Sequence, residues 1–177
     1  MIKLPIALGL GLLAGGCTTF AGANDRLVGG ATFATPSGAT VGTALLTEDP
    51  QGLKLTMVMT GLTPGSAHGL HLHAVGACQG PAFASAGPHL NPAGRQHGMD
   101  NPAGSHLGDL PNLVVNAAGA GRLTAHLPGD PAQVAAQLFD SDGTAIVLHA
   151  EPDDLRTDPS GNSGARIACG ALLPTTR

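Results

Sequence analysis

The sequence predicts an all-β fold: a Greek-key antiparallel β-sandwich or barrel that carries two long functional loops. Three observations point there. Short apolar runs with period-two alternation recur between Gly and Pro turn signals, and no segment shows a convincing 3.6-residue apolar period. The 27 Gly and 14 Pro among 177 residues, with only 11% charged residues, argue against a helical bundle or coiled coil. Two segments, residues 74–109 and 151–164, lose all periodicity and are crowded with turn residues, and loops of that kind in a compact domain usually carry function. With no Trp, no Tyr and four Phe, the core must come from Ala, Val, Leu, Ile and Met, at a length that suits one domain.

Lys3 precedes a charge-free stretch whose apolar part, residues 4–16, has about the length of a signal h-region and falls short of a membrane span. Residues 1–23 are therefore expected to be a cleaved signal peptide with a short tether, and residues 24–177 one domain. Two cleavage sites compete. Residues 12–17 resemble a bacterial lipoprotein box, which would make Cys17 a lipid anchor, while Ala21-Gly22-Ala23 has the small-x-small form of an ordinary signal-peptidase site. The first is preferred, because a lone cysteine directly after an h-region otherwise has little reason to be there. Either one sends the protein to the periplasm or cell envelope, with any membrane contact made through the N-terminal anchor. Setting Cys17 aside leaves Cys78 and Cys169, an even pair in a compartment where thiols oxidise. Bridging them would close a loop of about 90 residues, worth on the order of 4 kcal/mol in the chain-entropy model.

Residues 22–42, rich in Gly, Thr and Ala, read as a tether running into a first strand. Residues 53–60 place Leu53, Leu55, Met57 and Met59 on alternate positions, a half-buried strand. Gly61-Leu62-Thr63-Pro64-Gly65-Ser66 turns the chain before residues 69–73 resume the alternation. After the first long loop, residues 113–115 and 123–127 read as a strand pair around Gly119-Ala120-Gly121. Residues 145–149 form another strand, and residues 165–173 the last, beyond the second loop.

A net charge of −4 offers no basic surface for a phosphate backbone and argues against nucleic acid as a partner. Eight histidines stand out instead. His71 and His73, two apart on a strand, project from one face and can share a metal. His89, His97 and His106 follow in the loop, with Asp109 three residues beyond His106. Three imidazoles and a carboxylate suit tetrahedral zinc, and several imidazoles without a thiolate suit Cu(II). His149, at the end of a strand, could complete a site with His71 and His73. Of the remaining two, His68 is expected to make a structural hydrogen bond and His126 to face solvent.

Four segments carry a family resemblance: Gly69-Leu70-His71-Leu72-His73, Ser85-Ala86-Gly87-Pro88-His89-Leu90-Asn91-Pro92, His106-Leu107-Gly108-Asp109-Leu110, and Gly161-Asn162-Ser163-Gly164-Ala165-Arg166-Ile167-Ala168-Cys169-Gly170. In type and order they resemble the copper/zinc superoxide dismutases, particularly the bacterial periplasmic branch, over residues 31–173. The resemblance implies an immunoglobulin-like Greek-key barrel that dismutes superoxide to oxygen and hydrogen peroxide. It implies copper bound by His71, His73, His89 and His149, and zinc bound by His89, His97, His106 and Asp109, with His89 bridging the two and serving in proton delivery. Asp153 then corresponds to the carboxylate that hydrogen-bonds one histidine from each metal, Arg166 to the arginine beside the open copper position, and Cys78 with Cys169 to the disulfide. Leu155 and Ala74 stand where relatives often carry an aromatic and an acidic residue. A copper- and zinc-binding envelope lipoprotein without turnover is the competing expectation. The oligomeric state expected is monomer or homodimer.

Overall fold

A computed structural model describes residues 25–176. The first 24 residues, including Cys17 and both cleavage motifs, lie outside the described residues. The order is β1 (Arg26–Ala34), β2 (Thr40–Asp49), β3 (Gly52–Met59), β4 (Ala67–His68), β5 (Leu70–His73), a 3₁₀ turn (Ala84–Ala86), β6 (Leu113–Val114), β7 (Gly121–His126), α1 (Pro131–Leu138), β8 (Thr144–His149) and β9 (Arg166–Pro174). Seven strands form one curled antiparallel sheet in the order β5-β8-β9-β1-β2-β3-β7, while β4 and β6 pair separately. The all-β expectation is met.

Alternation builds the core. Leu53, Leu55, Met57 and Met59 of β3 are 0–2% exposed and pack with Phe33, Leu46, Leu70, Leu72, Ile146 and Leu148. β8 is buried at all six positions because it is covered on both faces. Ile146 and Leu148 enter the main core, while Ala145 and Val147 pack with Phe83, Ala86 and Cys169 in a second cluster under the long loop. On β5 the same parity sends Leu70 and Leu72 to the core and His71 and His73 to the covered outer side. The disulfide Cys78–Cys169, 91 residues apart in sequence, ties this loop to β9.

Three elements differ from the sequence expectation. β2 lies within and beyond the span read as tether, and its Thr-rich ladder with β1 and β3 is set by tertiary pairing that the local pattern does not announce. Residues 113–115 and 121–126 meet only through a bridge between Val115 and Gly121; the ladder partner of β6 is β4 and that of β7 is β3. The described residues also include one α-helix, α1, whose N-cap Asp130 accepts from the backbone N–H groups of Ala132 and Gln133, with a proline at the first helical turn. Only Val134 and Leu138 of α1 are buried, so its apolar period covers just one turn. Among the described residues no helix is long and apolar enough to cross a membrane.

Candidate metal centre

The long loop of residues 74–112 folds back over the edge strand β5. Backbone bonds run from Leu72 N–H to Gly108 O and from Leu90 N–H to Leu72 O, at 2.8 Å each, so the loop completes the pairing of that edge. This brings His89 and Asp109 beside His73 and His71. On the other side of β5, a register shift between Leu148 and His149 re-aims the last residue of β8, which pairs with Arg166 at the start of β9. His149 is fixed further by the dipeptide next to β5: its backbone N–H donates to Gly69 O and its carbonyl accepts from His68 Nδ1 at 2.8 Å. His68 thus makes the structural hydrogen bond expected of it, and its Nε2 meets Ser66 Oγ.

Two buried groups of ligand-type residues share His89, and a third, His71, His97 and Asp153, joins one histidine of each. The first is His71, His73, His89 and His149, each offering a ring nitrogen, with those nitrogens within 4.8 Å of one another. His71 Nδ1 and the Nε2 atoms of His73, His89 and His149 are buried without a hydrogen-bond partner. Four convergent imidazole nitrogens with no proton partner are costly unless a cation satisfies them. The second group is His89, His97, His106 and Asp109. Asp109 Oδ1 lies 3.2 Å from His89 Nδ1, 2.9 Å from His97 Nδ1 and 3.1 Å from His106 Nδ1, and the His89 and His106 Nδ1 atoms are 3.4 Å apart. A tetrahedral zinc with bonds near 2.0–2.1 Å requires ligand–ligand edges of about 3.3 Å, close to this set. Three ring N–H groups would also overfill the two lone pairs of one carboxylate oxygen, whereas one cation suits all four atoms. Both donor sets therefore fit the metals that their chemistry selects: all-imidazole for copper, three imidazoles and a carboxylate for zinc.

Four of the six rings are held from outside, at the nitrogen turned away from the clusters. Asp153 accepts from His71 Nε2 at 2.6 Å through Oδ2 and from His97 Nε2 at 3.0 Å through Oδ1, so one carboxylate orients a histidine from each group. That leaves Nδ1 of both rings facing the ligand clusters. Asp153 is itself pinned by Asn112, whose amide donates to Asp153 O and accepts from Asp153 N–H, 2.8 Å each. His73 Nδ1 donates to Gly87 O at 2.8 Å and His149 Nδ1 to Gly164 O at 3.1 Å, which fixes their free nitrogens as Nε2. Neighbouring Asp154 instead caps the loop, accepting from Arg156 and Thr157.

Burial governs the electrostatics. It pushes the His73 ring down from 6.5 to about 2, and His89 and His149 to about 4, with smaller contributions from the positive charge of neighbouring rings and, for His73 and His149, of Arg166. All three are neutral at pH 7, as ligation requires. For Asp109 burial opposes ionisation, but hydrogen bonds from His89 and the backbone N–H groups of Gly98 and His106 outweigh it and hold the carboxyl below its ordinary range. Asp153 behaves likewise, with His71 and His97 as the main donors.

Arg166 donates to Phe83 O and Gly87 O at 2.7 Å each. Since Gly87 O also receives His73 Nδ1, one carbonyl locks the guanidinium to a copper-group histidine. Arg166 lines an open cleft of about 600 Å³ whose other walls are Pro81, Ala82, Ala84, Gly87, Pro88, Gly164 and Ala165. Among the described residues lining it, Arg166 alone is charged. Arg156, in the second loop, lies 3.9 Å from Asp100.

The seven ligand-type residues named from the sequence lie in two buried groups, Asp153 is hydrogen-bonded to one histidine of each, Arg166 shares Gly87 O with His73, and Cys78 is bonded to Cys169. His126 is partly exposed, as expected, and pairs with Asp49, which also holds Lys54. The sequence reading missed Asn112, Gly161 and Asp158. Gly161, at φ +61°, packs so tightly that a Cβ there would sit 1.8 Å from Asp153 Oδ1. Only the Gly-Asn-Ser-Gly run hinted at such a turn.

Comparison with known proteins follows the same line. A family model described as copper/zinc superoxide dismutase matches residues 40–172. The superoxide dismutase-like protein YojM of Bacillus subtilis is 44% identical over 127 residues, covering 71% of this chain and 65% of that protein, just under two thirds of its length. A copper/zinc superoxide dismutase of Caulobacter vibrioides is 42% identical over 144 residues, covering 76% of this chain and 79% of the relative. Among solved structures, a SOD-like protein from Bacillus subtilis aligns with TM-score 0.76 at 40% identity, over 81% of this chain and 97% of that one. The Cu/Zn superoxide dismutase from Brucella abortus aligns with TM-score 0.64 at 30% identity, over 81% and 98%.

Proposed function

This chain belongs to the copper/zinc superoxide dismutase family, and we propose that it dismutes superoxide with copper held by His71, His73, His89 and His149 and zinc held by His89, His97, His106 and Asp109. The observation that carries this reading is the set of four buried, unpartnered imidazole nitrogens, one of them on a ring whose other nitrogen belongs to the tetrahedral group. When bound, copper supplies the one-electron redox change by which two superoxide anions and two protons become oxygen and hydrogen peroxide, and zinc supplies fixed charge and geometry.

The residues do the rest. Arg166 presents a permanent cation in a cleft with no competing carboxylate among its described lining residues, and its anchoring to Phe83 O and Gly87 O sets where an anion docks. His89 Nε2 is the atom at which a proton is held for the departing peroxide. Asp153 holds His71 and His97 in the tautomers that ligation needs.

The test is superoxide turnover of the copper- and zinc-reconstituted protein against His149→Ala. Fast turnover lost in the variant supports the reading. A second reading, copper and zinc binding without turnover, rests on the Bacillus subtilis relative being named dismutase-like. Metal binding with negligible wild-type turnover would select it.

The envelope role belongs to the same proposal. Residues 1–23 direct export, Cys17 carries a lipid anchor to the membrane, and the domain of residues 24–177 works in the periplasm as a monomer or homodimer. Labelled fatty acid incorporated into wild type but not Cys17→Ser tests the anchor, and sedimentation of the mature domain tests the oligomeric state.

A further inference from the structure

Three imidazoles face the zinc position, and each has a second ring nitrogen to account for. That of His89 points into the copper group, and that of His97 donates to Asp153 at 3.0 Å. The third, His106 Nε2, has no hydrogen bond among the described residues and sits on a side chain that is 6% exposed and borders an open cleft. A ligating imidazole whose Nδ1 faces a metal carries its hydrogen on Nε2, and that N–H almost always finds a carboxylate, carbonyl or water. Asp158 Oδ1 lies 4.0 Å from His106 Nε2. A movement of about 1 Å would bring the two within hydrogen-bond range.

Asp158 does not drift freely to that place. Its Oδ1 already accepts the backbone N–H of His97 at 2.6 Å, across the junction of the two long loops. A single carboxylate from the second loop thus holds the main chain of one zinc-side histidine and faces the ring of another. Pro159 follows it, and both line a cleft of about 530 Å³ with Arg95, His106, Gln137 and Asp140, through which solvent reaches the back of the zinc group. The Asp158 side chain is 51% exposed there.

We propose that Asp158 is a second outer carboxylate of the metal centre: a positioning residue for the zinc half alone, which clamps His97 and His106 from the second loop and slows zinc escape through that cleft. The proposal rests on the zinc reading given above. It differs from the role of Asp153, which touches a histidine of each group and so acts on both metals.

The experiment measures zinc transfer from the fully loaded protein to excess chelator, and copper retention in parallel, for wild type, Asp158→Ala, Asp158→Asn and Asp154→Ala. The second aspartate serves as control because it caps the same loop without touching a zinc-side histidine. Asp158→Ala should release zinc at least about tenfold faster, the lower end of the effect of removing an outer partner. Asp158→Asn, which keeps an oxygen for His97 N–H but loses the charge facing His106, should fall between. Copper retention should match wild type in both. The exposure of Asp158 makes either variant compatible with folding. Zinc release at the wild-type rate in Asp158→Ala, or equal acceleration by Asp154→Ala, would overturn the proposal. A wild-type protein that takes up no zinc would overturn the zinc reading beneath it.

Discussion

Gly161→Ala tests how the two metal groups are coupled. At this position φ is +61°, and an added Cβ would lie 1.8 Å from Asp153 Oδ1, 2.5 Å from its Cγ and 2.8 Å from His97 Nε2. Reaching ordinary contact requires the carboxylate to retreat by about 1.5 Å. The hydrogen bonds to His71 at 2.6 Å and His97 at 3.0 Å do not survive such a shift. Alanine in the left-handed region adds about 1–2 kcal/mol of backbone cost to the folded state. Losing an outer carboxylate typically weakens metal affinity 10–100-fold, or about 1.4–2.7 kcal/mol.

Because both changes act through the same carboxylate, the expected signature is non-additivity. Gly161→Ala and Asp153→Ala should each loosen copper and zinc together, and the double variant should be little worse than Asp153→Ala alone. Competition against chelators of graded affinity, with each metal measured separately, reads this out. Additive losses in the double variant, or a Gly161→Ala protein with wild-type affinity for both metals, would refute the geometric argument.

Arg166→Ala should lower kcat/KM for superoxide by about tenfold or more and flatten its ionic-strength dependence, since no other described residue lining the copper-side cleft is charged; Arg166→Lys should keep the salt dependence but not the full rate, because an ammonium cannot fork to Phe83 O and Gly87 O. Cys169→Ser should cost on the order of 4 kcal/mol on the chain-entropy estimate, measured by urea denaturation of the metal-free protein. The metal-free protein should also lose stability as pH falls below about 6.5. The unfolded chain protonates its histidines there, whereas the folded chain keeps His73, His89 and His149 neutral down to about 4 or lower, so unfolding takes up protons. At pH 5.5 each ring contributes about 1.4 kcal/mol to that loss, measurable as a falling denaturation midpoint.

What the sequence revealed and what it withheld divide along physical lines. The strands with strict alternation, such as β3, were legible because burial on one face leaves a period of two. The ligand-type residues were legible because their side-chain chemistry is rare and their order matches one family. β2 was not, since Thr, Gly and Ala pair there only because β1 and β3 flank them. Nor was α1: one buried turn, Val134 to Leu138, gives too short a period to read, although Asp130-Pro131 was a usable start signal. Asn112, Asp158 and Gly161 act by holding other residues, through a backbone bond, a facing ring or the absence of a Cβ. The roles of Asn112 and Asp158 leave no motif in the chain, and that of Gly161 leaves only the Gly-Asn-Ser-Gly run.

The placement of the centre follows from β5 and β8 being covered on both sides. A sheet wet on its outer face would have left His71, His73 and His149 solvated and mobile. The long loop, stapled by Cys78–Cys169 and paired to the edge of β5, removes that water and makes their free nitrogens costly to leave unmet. The same burial lowers the basicity of His73 and His149, so those two are neutral donors before any metal arrives. Metal affinity, loop order and the disulfide are therefore linked: opening the loop rehydrates the rings and lets them protonate. Reduction of the disulfide in the metal-free protein should accordingly slow subsequent copper uptake more at pH 5.5 than at pH 7.5, followed by stopped-flow absorbance. Equal slowing at both pH values would mean that the loop only shapes the site and does not keep it dry.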